Sequence, residues 1–244
     1  MAVGKPISNE GTPFEIYGME RTIKVFAPTF FHDLVNQTLT GWKVTPLRSA
    51  NTFDIIISVK DRAFVIQTNL SKRIPAQTDL IDALNEFFLC LAYLVTAKTH
   101  GAQLLHCAAY TKAKQNVVVF GKKKAGKSSL VFEKAQSGET ILADDLLIWL
   151  PKLAKVMCIG LPLRMRRPVR GLNAVKPATP QFIAGRKTAY AQKDAFKVGE
   201  AGLSFTPDKI YRLQNRKLVS VPFLKWPDTI VQHTISDDYT RLVI

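Results

Sequence analysis

The amino-acid sequence predicts an α/β fold with a small β-rich N-terminal subdomain. Short β-rich segments joined by turns fill the first third of the chain. Further on, an unbroken apolar segment at residues 117–120 is typical of a buried central strand, and a glycine-flanked loop and a helical segment follow it. The chain has 244 residues, 47% of them apolar and 22% charged, which excludes wholesale disorder and collagen-like classes. This length permits one elaborated domain or two small ones.

The first hundred residues predict strands and one long helix. Helical spacing of apolar residues over 79–98 predicts a helix that Thr78 or Asp79 can cap, and its apolar second half predicts burial. A shorter helical segment is expected near residues 31–38. We therefore expect an N-terminal subdomain at 1–100 and a second domain at 101–244. The strands are predicted at residues 22–26, 42–47, 53–59 and 63–68, with a hairpin turn at 60–62.

The second part of the chain predicts strands at residues 104–110, 116–120, 140–143 and 155–159. A helix is predicted at residues 127–136, ended by Gly138. Residues 164–208 are basic and weakly patterned, which predicts a long loop region with short helices. The segments 210–213 and 218–221 predict a closing hairpin.

One loop carries the strongest chemical signal. Residues 121–128 (GKKKAGKS) fit the phosphate-binding pattern G-x-x-x-x-G-K-[ST] between a predicted strand and a predicted helix. In such a loop, backbone N–H groups and the helix N-terminus face phosphate oxygens, the Lys reaches the β- and γ-phosphates, and the Ser binds Mg²⁺. A chance match on a basic loop is the alternative. The predicted nucleotide contacts are Gly121, Lys122, Lys123, Lys124, Ala125, Gly126, Lys127, Ser128 and Ser129.

Two adjacent carboxylates follow the next predicted strand. Asp144 and Asp145 come directly after residues 140–143. Because ligands bind at the carboxyl ends of strands in a parallel α/β sheet, we expect both residues beside the phosphates. One could hold Mg²⁺ while the other accepts a proton from an attacking hydroxyl. A solvated turn is the alternative.

This compact order of phosphate loop and Asp pair resembles the HPr kinase/phosphorylase family, whose core is shared with phosphoenolpyruvate carboxykinase. Further segments are similar to that family: residues 104–109 (LLHCAA), 168–172 (PVRGL), 206–213 (TPDKIYRL) and 221–224 (VPFL). The similarity runs from about residue 101 to about 225. Pro168, Asn173 and Ser129 depart from the family pattern, which leaves a second metal contact and the reverse phosphorolysis open.

The resemblance implies a P-loop kinase core that uses ATP and Mg²⁺. By this resemblance, His106 lies near the γ-phosphate, Asp144 is the general base, and Asp145 helps to hold Mg²⁺ with Ser128. Arg170 and Arg212 would contact phosphate or the acceptor. Residues 1–100 resemble the leader of small kinases related to the family, so the acceptor is not assumed to be HPr. It is expected to be a serine of a protein or peptide, with a small-molecule acceptor as the alternative.

The net charge of +15 favours an anionic partner, because residues 101–244 carry +14 of it. The nucleotide and an acidic acceptor both fit this charge, and the basic cluster Arg164, Arg166, Arg167 and Arg170 is a candidate anion site. Nucleic acid is disfavoured because no RNA- or DNA-binding motif is present, and a homo-oligomer is left open. The longest apolar run, residues 87–95, is too short to span a bilayer, and the widely spaced Cys90, Cys107 and Cys158 fit a cytoplasmic setting. A nucleotide-binding module or ATPase without transfer activity is the rival function.

Overall fold

The computed structural model describes residues 11–69, 74–166 and 182–235. Strands account for 41% of the structure and helices for 25%, so it is richer in strand than the α/β class expected from the sequence. Four sheets hold the strands of the described residues.

The first hundred residues form one five-stranded sheet and two helices. The elements are β1 (Thr12–Gly18), β2 (Arg21–Ala27), α1 (Thr29–Thr38), β3 (Lys43–Pro46), β4 (Ile55–Lys60) and β5 (Ala63–Thr68). The order of the strands in the sheet is β3-β1-β2-β4-β5. The four strands and the short helix predicted here are confirmed with small shifts at their ends, and β1 is an additional strand.

The long helix α2 (Leu80–Ala97) confirms the helix predicted at residues 79–98. Asp79 caps it, because its Oδ1 accepts hydrogen bonds from the backbone N–H groups of Ile81 at 2.8 Å and Asp82 at 3.3 Å. By length and composition alone α2 could cross a membrane, but 78% of it is buried inside the fold. Its burial as a core helix accounts for its apolar character.

The rest of the described chain builds the other three sheets. The strands are β6 (Gln103–His106), β7 (Ala108–Lys112), β8 (Gln115–Phe120), β9 (Thr140–Ala143), β10 (Leu146–Leu150), β11 (Lys155–Met157), β12 (Arg164–Arg166), β13 (Phe182–Ala184), β14 (Thr188–Ala191), β15 (Ser204–Phe205), β16 (Lys209–Gln214), β17 (Lys217–Ser220) and β18 (Thr234–Ile235). The orders of the strands in the three sheets are β15-β11-β10-β6-β18, β12-β14-β13 and β17-β16-β8-β7-β9. The helices are α3 (Lys127–Gln136) and α4 (Trp226–Gln232).

The chain passes between two of these sheets at two neighbouring points. The single strand predicted at residues 104–110 is wrong, because Cys107 separates β6 and β7, which belong to different sheets. The second passage is at Asp144 and Asp145, between β9 and β10. Since β6 pairs with β10 and β7 with β9, the two passages lie side by side, and the Cys107 N–H donates to the Asp145 carbonyl at 3.0 Å.

The prediction of a long loop region with short helices at residues 164–208 is wrong in one respect. Where this region is described, it contains the short strands β12 to β15 instead of short helices. These strands have only two to four residues each, too few for sequence periodicity to reveal them. Arg167 and Arg170 lie outside the described residues. The closing hairpin is confirmed as β16 and β17.

The largest apolar core crosses the predicted boundary at residue 100. It joins the N-terminal sheet and α2 to residues Leu104, Ile148, Ile159 and Tyr190 of the following sheets. Trp42 also crosses this boundary, since its Nε1–H donates to the Ile159 carbonyl at 2.6 Å. Helix α2 therefore packs against the sheets beyond residue 100, next to the candidate site that is described below.

Candidate functional site

The loop at residues 121–126 connects the buried strand β8 to the N-terminus of α3. Strand β8 ends at Phe120 and α3 begins at Lys127, with Gly126 at a φ of 105° as its N-cap. This left-handed φ favours glycine over residues with a side chain. The Lys127 side chain is buried and its Nζ donates to the Gly121 carbonyl at 2.8 Å, so it folds back over the loop. Burial lowers the pKa of Lys127, although the charges of Asp145 and Asp144 oppose this effect.

Sheet topology brings the Asp pair to the same edge as this loop. Strands β8 and β9 both pair antiparallel with β7, so they run in the same direction and their carboxyl ends meet at one edge. This differs from the predicted parallel sheet, because β8 has only one parallel neighbour, β16. The edge nevertheless holds the phosphate loop after β8 and Asp144 and Asp145 after β9.

Asp144 is a buried carboxylate with an unsatisfied oxygen. Its relative exposure is 6%, and its Oδ2 accepts the backbone N–H of Arg164 at 2.8 Å. Its Oδ1 is buried without a hydrogen-bond partner among the described residues. Burial, followed by the charge of Asp145, raises the pKa of Asp144 to about 6, and the neighbouring Ser128 hydroxyl partly lowers it.

Asp145 is more accessible and has two basic partners. Its Oδ1 lies 3.0 Å from His106 Nε2, and its Oδ2 lies 3.5 Å from Arg164 Nη1. The side chains of Asp145 and His106 are 29% and 32% exposed. Burial alone would raise the pKa of Asp145, but the hydrogen bond from His106 and the charge of Arg164 hold it below its ordinary value.

A second polar layer supports Arg164 from α2 and β14. Asn85 Oδ1 accepts hydrogen bonds from Arg164 Nη1 at 2.6 Å and from the Tyr190 hydroxyl at 2.9 Å. Arg164 belonged to the basic cluster predicted from the sequence, but Asn85 and Tyr190 did not belong to any predicted site. They come from segments far apart in the chain, so only the folded arrangement reveals them.

Basic side chains approach the loop from β16 and from the C-terminal end of α4. Arg212 pairs with Phe120 in the parallel register, and its Nη2 donates to Thr229 Oγ1 at 3.1 Å and Gln232 Oε1 at 2.9 Å. His233, which sequence analysis missed, stacks on Phe120 with ring centroids 4.6 Å apart. Burial, followed by the charges of Lys127, His106 and Arg212, lowers the pKa of His233 to about 4. These four basic side chains thus surround one end of the loop.

The other predicted loop contacts have different positions. The side chains of Lys122, Lys123, Lys124 and Ser129 are exposed, whereas Gly121 is packed closely. A Cβ at Gly121 would lie 3.2 Å from the Leu213 carbonyl oxygen and 3.3 Å from Ala125 Cβ. Gly121 therefore lets β16 and the loop approach each other, while Ala125 and Gly126 are partly buried.

The residues present fit a Mg²⁺–nucleotide complex. No group of three His, Cys, Asp or Glu side chains suited to a metal is found among residues 11–69, 74–166 and 182–235. Mg²⁺ at a phosphate loop does not need one, since it keeps several waters and takes one or two protein oxygens plus phosphates. The unsatisfied Asp144 Oδ1 and the adjacent Ser128 hydroxyl supply such oxygens.

This edge brings together a loop that leads into a helix N-terminus, a buried carboxylate and a partly exposed carboxylate–imidazole pair. No protein-family model and no curated protein sequence matches the chain.

Proposed function

We propose that this protein is an ATP- and Mg²⁺-dependent phosphotransferase that moves the γ-phosphoryl group to a hydroxyl. We further propose that its core is a P-loop kinase core of the HPr kinase type. The observation that carries the proposal is the common sheet edge, where the loop at residues 121–128 meets the unsatisfied Asp144 and the Asp145–His106 pair. Phosphoryl transfer needs little beyond positioning and charge stabilisation, and these groups supply both.

Nucleotide binding is assigned to the loop and to Lys127. Backbone N–H groups of the loop and the N-terminus of α3 face the phosphates. The Lys127 ammonium exchanges its hydrogen bond to the Gly121 carbonyl for phosphate oxygens. Arg212 approaches the loop from β16 and adds positive charge for the transferring group, whereas the low pKa of His233 keeps it neutral at pH 7. Arg170 keeps its predicted role, outside the described residues.

The metal is assigned to Ser128 and Asp144. Burial raises the pKa of Asp144, and a divalent cation beside this carboxylate would offset the cost of its buried charge. The Ser128 hydroxyl is next to Asp144, as the loop Ser must be to share the metal. When bound, Mg²⁺ neutralises charge on the β- and γ-phosphates.

Proton acceptance is assigned to Asp145, oriented by His106. An incoming hydroxyl has to reach the base, and the Asp145 side chain is partly exposed whereas Asp144 is buried. This division exchanges the roles that the family resemblance implied for the two carboxylates. The low pKa of Asp145 keeps it ionised, so it can take the proton as the new P–O bond forms.

Single amide variants of the two carboxylates test this proposal. The full chain is incubated with γ-labelled ATP, Mg²⁺ and a lysate of the cells that produce it, and the labelled product is identified. We expect Asp145→Asn to lower transfer by about 10²–10⁴-fold while Mg²⁺–ATP affinity changes little. Asp144→Asn should instead weaken the Mg²⁺ dependence of ATP binding.

A nucleotide-binding module without transfer activity gives a different result. It would bind ATP, label no protein or metabolite, and show no transfer for Asp145→Asn to remove. ATP binding without any labelled product therefore rejects the phosphotransferase and favours this rival.

A further inference from the structure

Arg212 carries a guanidinium that no carboxylate of the described chain compensates. Its Nη2 donates to Thr229 Oγ1 at 3.1 Å and to Gln232 Oε1 at 2.9 Å, and both of these acceptors are neutral. Its Nε is buried and has no hydrogen-bond partner among the residues that the structure describes. None of the ion pairs within these residues involves Arg212. A buried N–H donor without an acceptor costs free energy, so the guanidinium has capacity for an anion.

Helix α4 supplies both acceptors from one face. Thr229 and Gln232 are three residues apart, a spacing that makes their side chains neighbours on a helix. Thr229 is fully buried, whereas Gln232 is exposed. The guanidinium of Arg212 is therefore held from the protein interior and from the solvent side by oxygens that leave its charge intact.

Both ends of α4 are fixed to the sheets that carry the site. At its start, the Trp226 Nε1–H donates to the Val221 carbonyl at 2.9 Å, next to the end of β17. Just beyond its end, the His233 carbonyl accepts the backbone N–H of His106 at 3.1 Å. Between these points Ile230 is buried in the apolar core. Because α4 is held along its length, its two acceptor oxygens have defined positions relative to the loop.

The register of β16 places Arg212 at the end of the loop that Lys127 occupies. Arg212 is the partner of Phe120, the last residue before the loop. His233 stacks on Phe120, and the charges of Lys127, His106 and Arg212 all act on it, so these groups lie around one ring. In a phosphate loop, the Lys reaches the β- and γ-phosphates. Arg212 shares this end of the loop and is therefore close to the position of the terminal phosphate.

Neutral acceptors suit a guanidinium that has to bind phosphate. A carboxylate in place of Gln232 would also orient Arg212, and its hydrogen bond would be stronger because it is charge-assisted. That carboxylate would, however, cancel much of the charge that attracts the phosphate. Thr229 and Gln232 orient the guanidinium without this loss.

We infer that Thr229 and Gln232 are positioning residues that hold Arg212, with its charge uncompensated, for the γ-phosphate of the bound nucleotide. This inference rests on the proposed function, because it takes residues 121–128 as the nucleotide site. It gives a role at the site to α4, a helix that sequence analysis did not predict. Loss of the Gln232 oxygen should weaken ATP binding more than ADP binding, since ADP has no γ-phosphate.

Gln232→Ala tests the positioning role without adding a charge. Calorimetric titration of the full chain with Mg²⁺–ATP and with Mg²⁺–ADP gives the two dissociation constants. We expect Gln232→Ala to weaken ATP binding about fivefold and ADP binding less than about twofold, and this difference should vanish in an Arg212→Ala background. The matched control is Gln136→Ala, because Gln136 is also exposed and is the last residue of α3 as Gln232 is of α4. Equal changes for ATP and ADP, no change for either, or the same difference without Arg212 overturns the inference.

Gln232→Glu separates positioning from a purely structural role. A glutamate at this exposed position should pair with Arg212, so the melting temperature should stay the same or rise. The same pair should cancel the charge of Arg212, and we expect ATP affinity to fall about tenfold while ADP affinity changes little. Gln136→Glu, which adds the same charge at the end of α3, should leave both affinities unchanged. If Gln232→Glu is as stable as the wild type and keeps the wild-type preference for ATP, the inference is contradicted.

Transfer of label from γ-labelled ATP separates this inference from the proposed function. If both Gln232 variants lower the preference for ATP over ADP while the lysate contains no labelled product, the positioning role stands and the phosphotransferase fails. If the lysate contains a labelled product while both variants keep the wild-type preference, the phosphotransferase stands and the positioning role fails.

Discussion

At the scale of single residues, the buried Asp144 carboxylate costs folding free energy when it is ionised. Its burial and the neighbouring Asp145 raise its pKa to about 6, so the folded protein binds a proton there more tightly than the unfolded chain does. Ionised Asp144 therefore destabilises the fold above pH 6, and this penalty disappears as the pH falls below the ordinary Asp value. A cation that binds Asp144 would remove this free-energy cost, and its binding affinity would be higher for that reason.

Asp144→Asn should stabilise the protein at alkaline pH. Asparagine keeps an oxygen for the Arg164 N–H and removes the buried charge. A shift from 3.8 to about 6 corresponds to a gain in unfolding free energy of at most about 3 kcal/mol at pH 8, without Mg²⁺ or nucleotide. Most of this gain should be lost by pH 4. Urea unfolding at both pH values measures it, with the exposed Asp61→Asn as control, and a loss of stability at pH 8 would refute the electrostatic account.

Sequence reasoning identified the residues that belong to a contiguous motif and missed those that converge through the fold. Lys127, Ser128, Asp144 and Asp145 lie within one strand–loop–helix–strand segment, so spacing alone predicts that they meet. His233 and Asn85 carry no local signal, since each reaches the site only through packing against another element. Sequence spacing also does not reveal which carboxylate is buried, so it left the roles of Asp144 and Asp145 open.

At the scale of elements, the N-terminus of α2 is tied to the hairpin formed by β13 and β14. The Asp79 carboxylate caps α2 and also accepts the Arg186 N–H at 3.1 Å. Burial alone would raise the pKa of Asp79, but the hydrogen bonds from Arg186, Ile81 and Asp82 hold it below its ordinary value. One side chain thus fixes the start of the helix that supplies Asn85 to the site.

Asp79→Ala should lower the free energy of unfolding by about 1 kcal/mol, the usual cost of losing an N-cap. For a chain of this size, that corresponds to a melting temperature lower by about 2–4 °C. Because the folded-state pKa is lowered, the stabilisation is present above the unfolded-state pKa and is lost as the pH falls through the folded-state value. Thermal melts at pH 7 measure the loss, and Asp79→Asn, which can still cap, should restore most of it. An Asp33→Ala control in α1 removes a carboxylate that is 68% exposed, and an equal effect there would contradict the capping role.

Long elements were predictable and short ones were not. Helix α2 has 18 residues and a regular apolar pattern, so its position follows from periodicity. The strands at β12 to β15 have two to four residues each, and pairing across the fold determines them instead of local pattern. The break at Cys107 was also hidden, because both β6 and β7 are apolar and one residue separates them.

At the scale of the whole molecule, packing links the N-terminal sheet to the site. The apolar core that contains α2 also contains Ile148 and Tyr190, and the Trp42 indole N–H bonds to Ile159. The sequence suggested a division near residue 100 because charge and periodicity change there. Because the two regions pack together, Asn85, Phe88 and Leu89 of α2 line a cleft beside the two aspartates.

The charge of +15 also acquires a more specific interpretation. Part of it lies at the site, where Lys127 and Arg212 are cationic and act electrostatically on His233. Arg164 also belongs to the site, where it pairs with Asp145 at 3.5 Å, and the surplus of positive charge favours the nucleotide.

The most direct test of the central claim is titration calorimetry of Mg²⁺–ATP with the full chain and two lysine variants. Lys127→Ala removes a buried ammonium that lies against the loop, and Lys123→Ala removes an exposed one from the same loop. We expect saturable binding by the wild type, a Kd at least about tenfold weaker for Lys127→Ala, and a nearly unchanged Kd for Lys123→Ala. Absence of binding by the wild type, or equal affinity for the wild type and Lys127→Ala, would contradict the assignment of residues 121–128 as a nucleotide site.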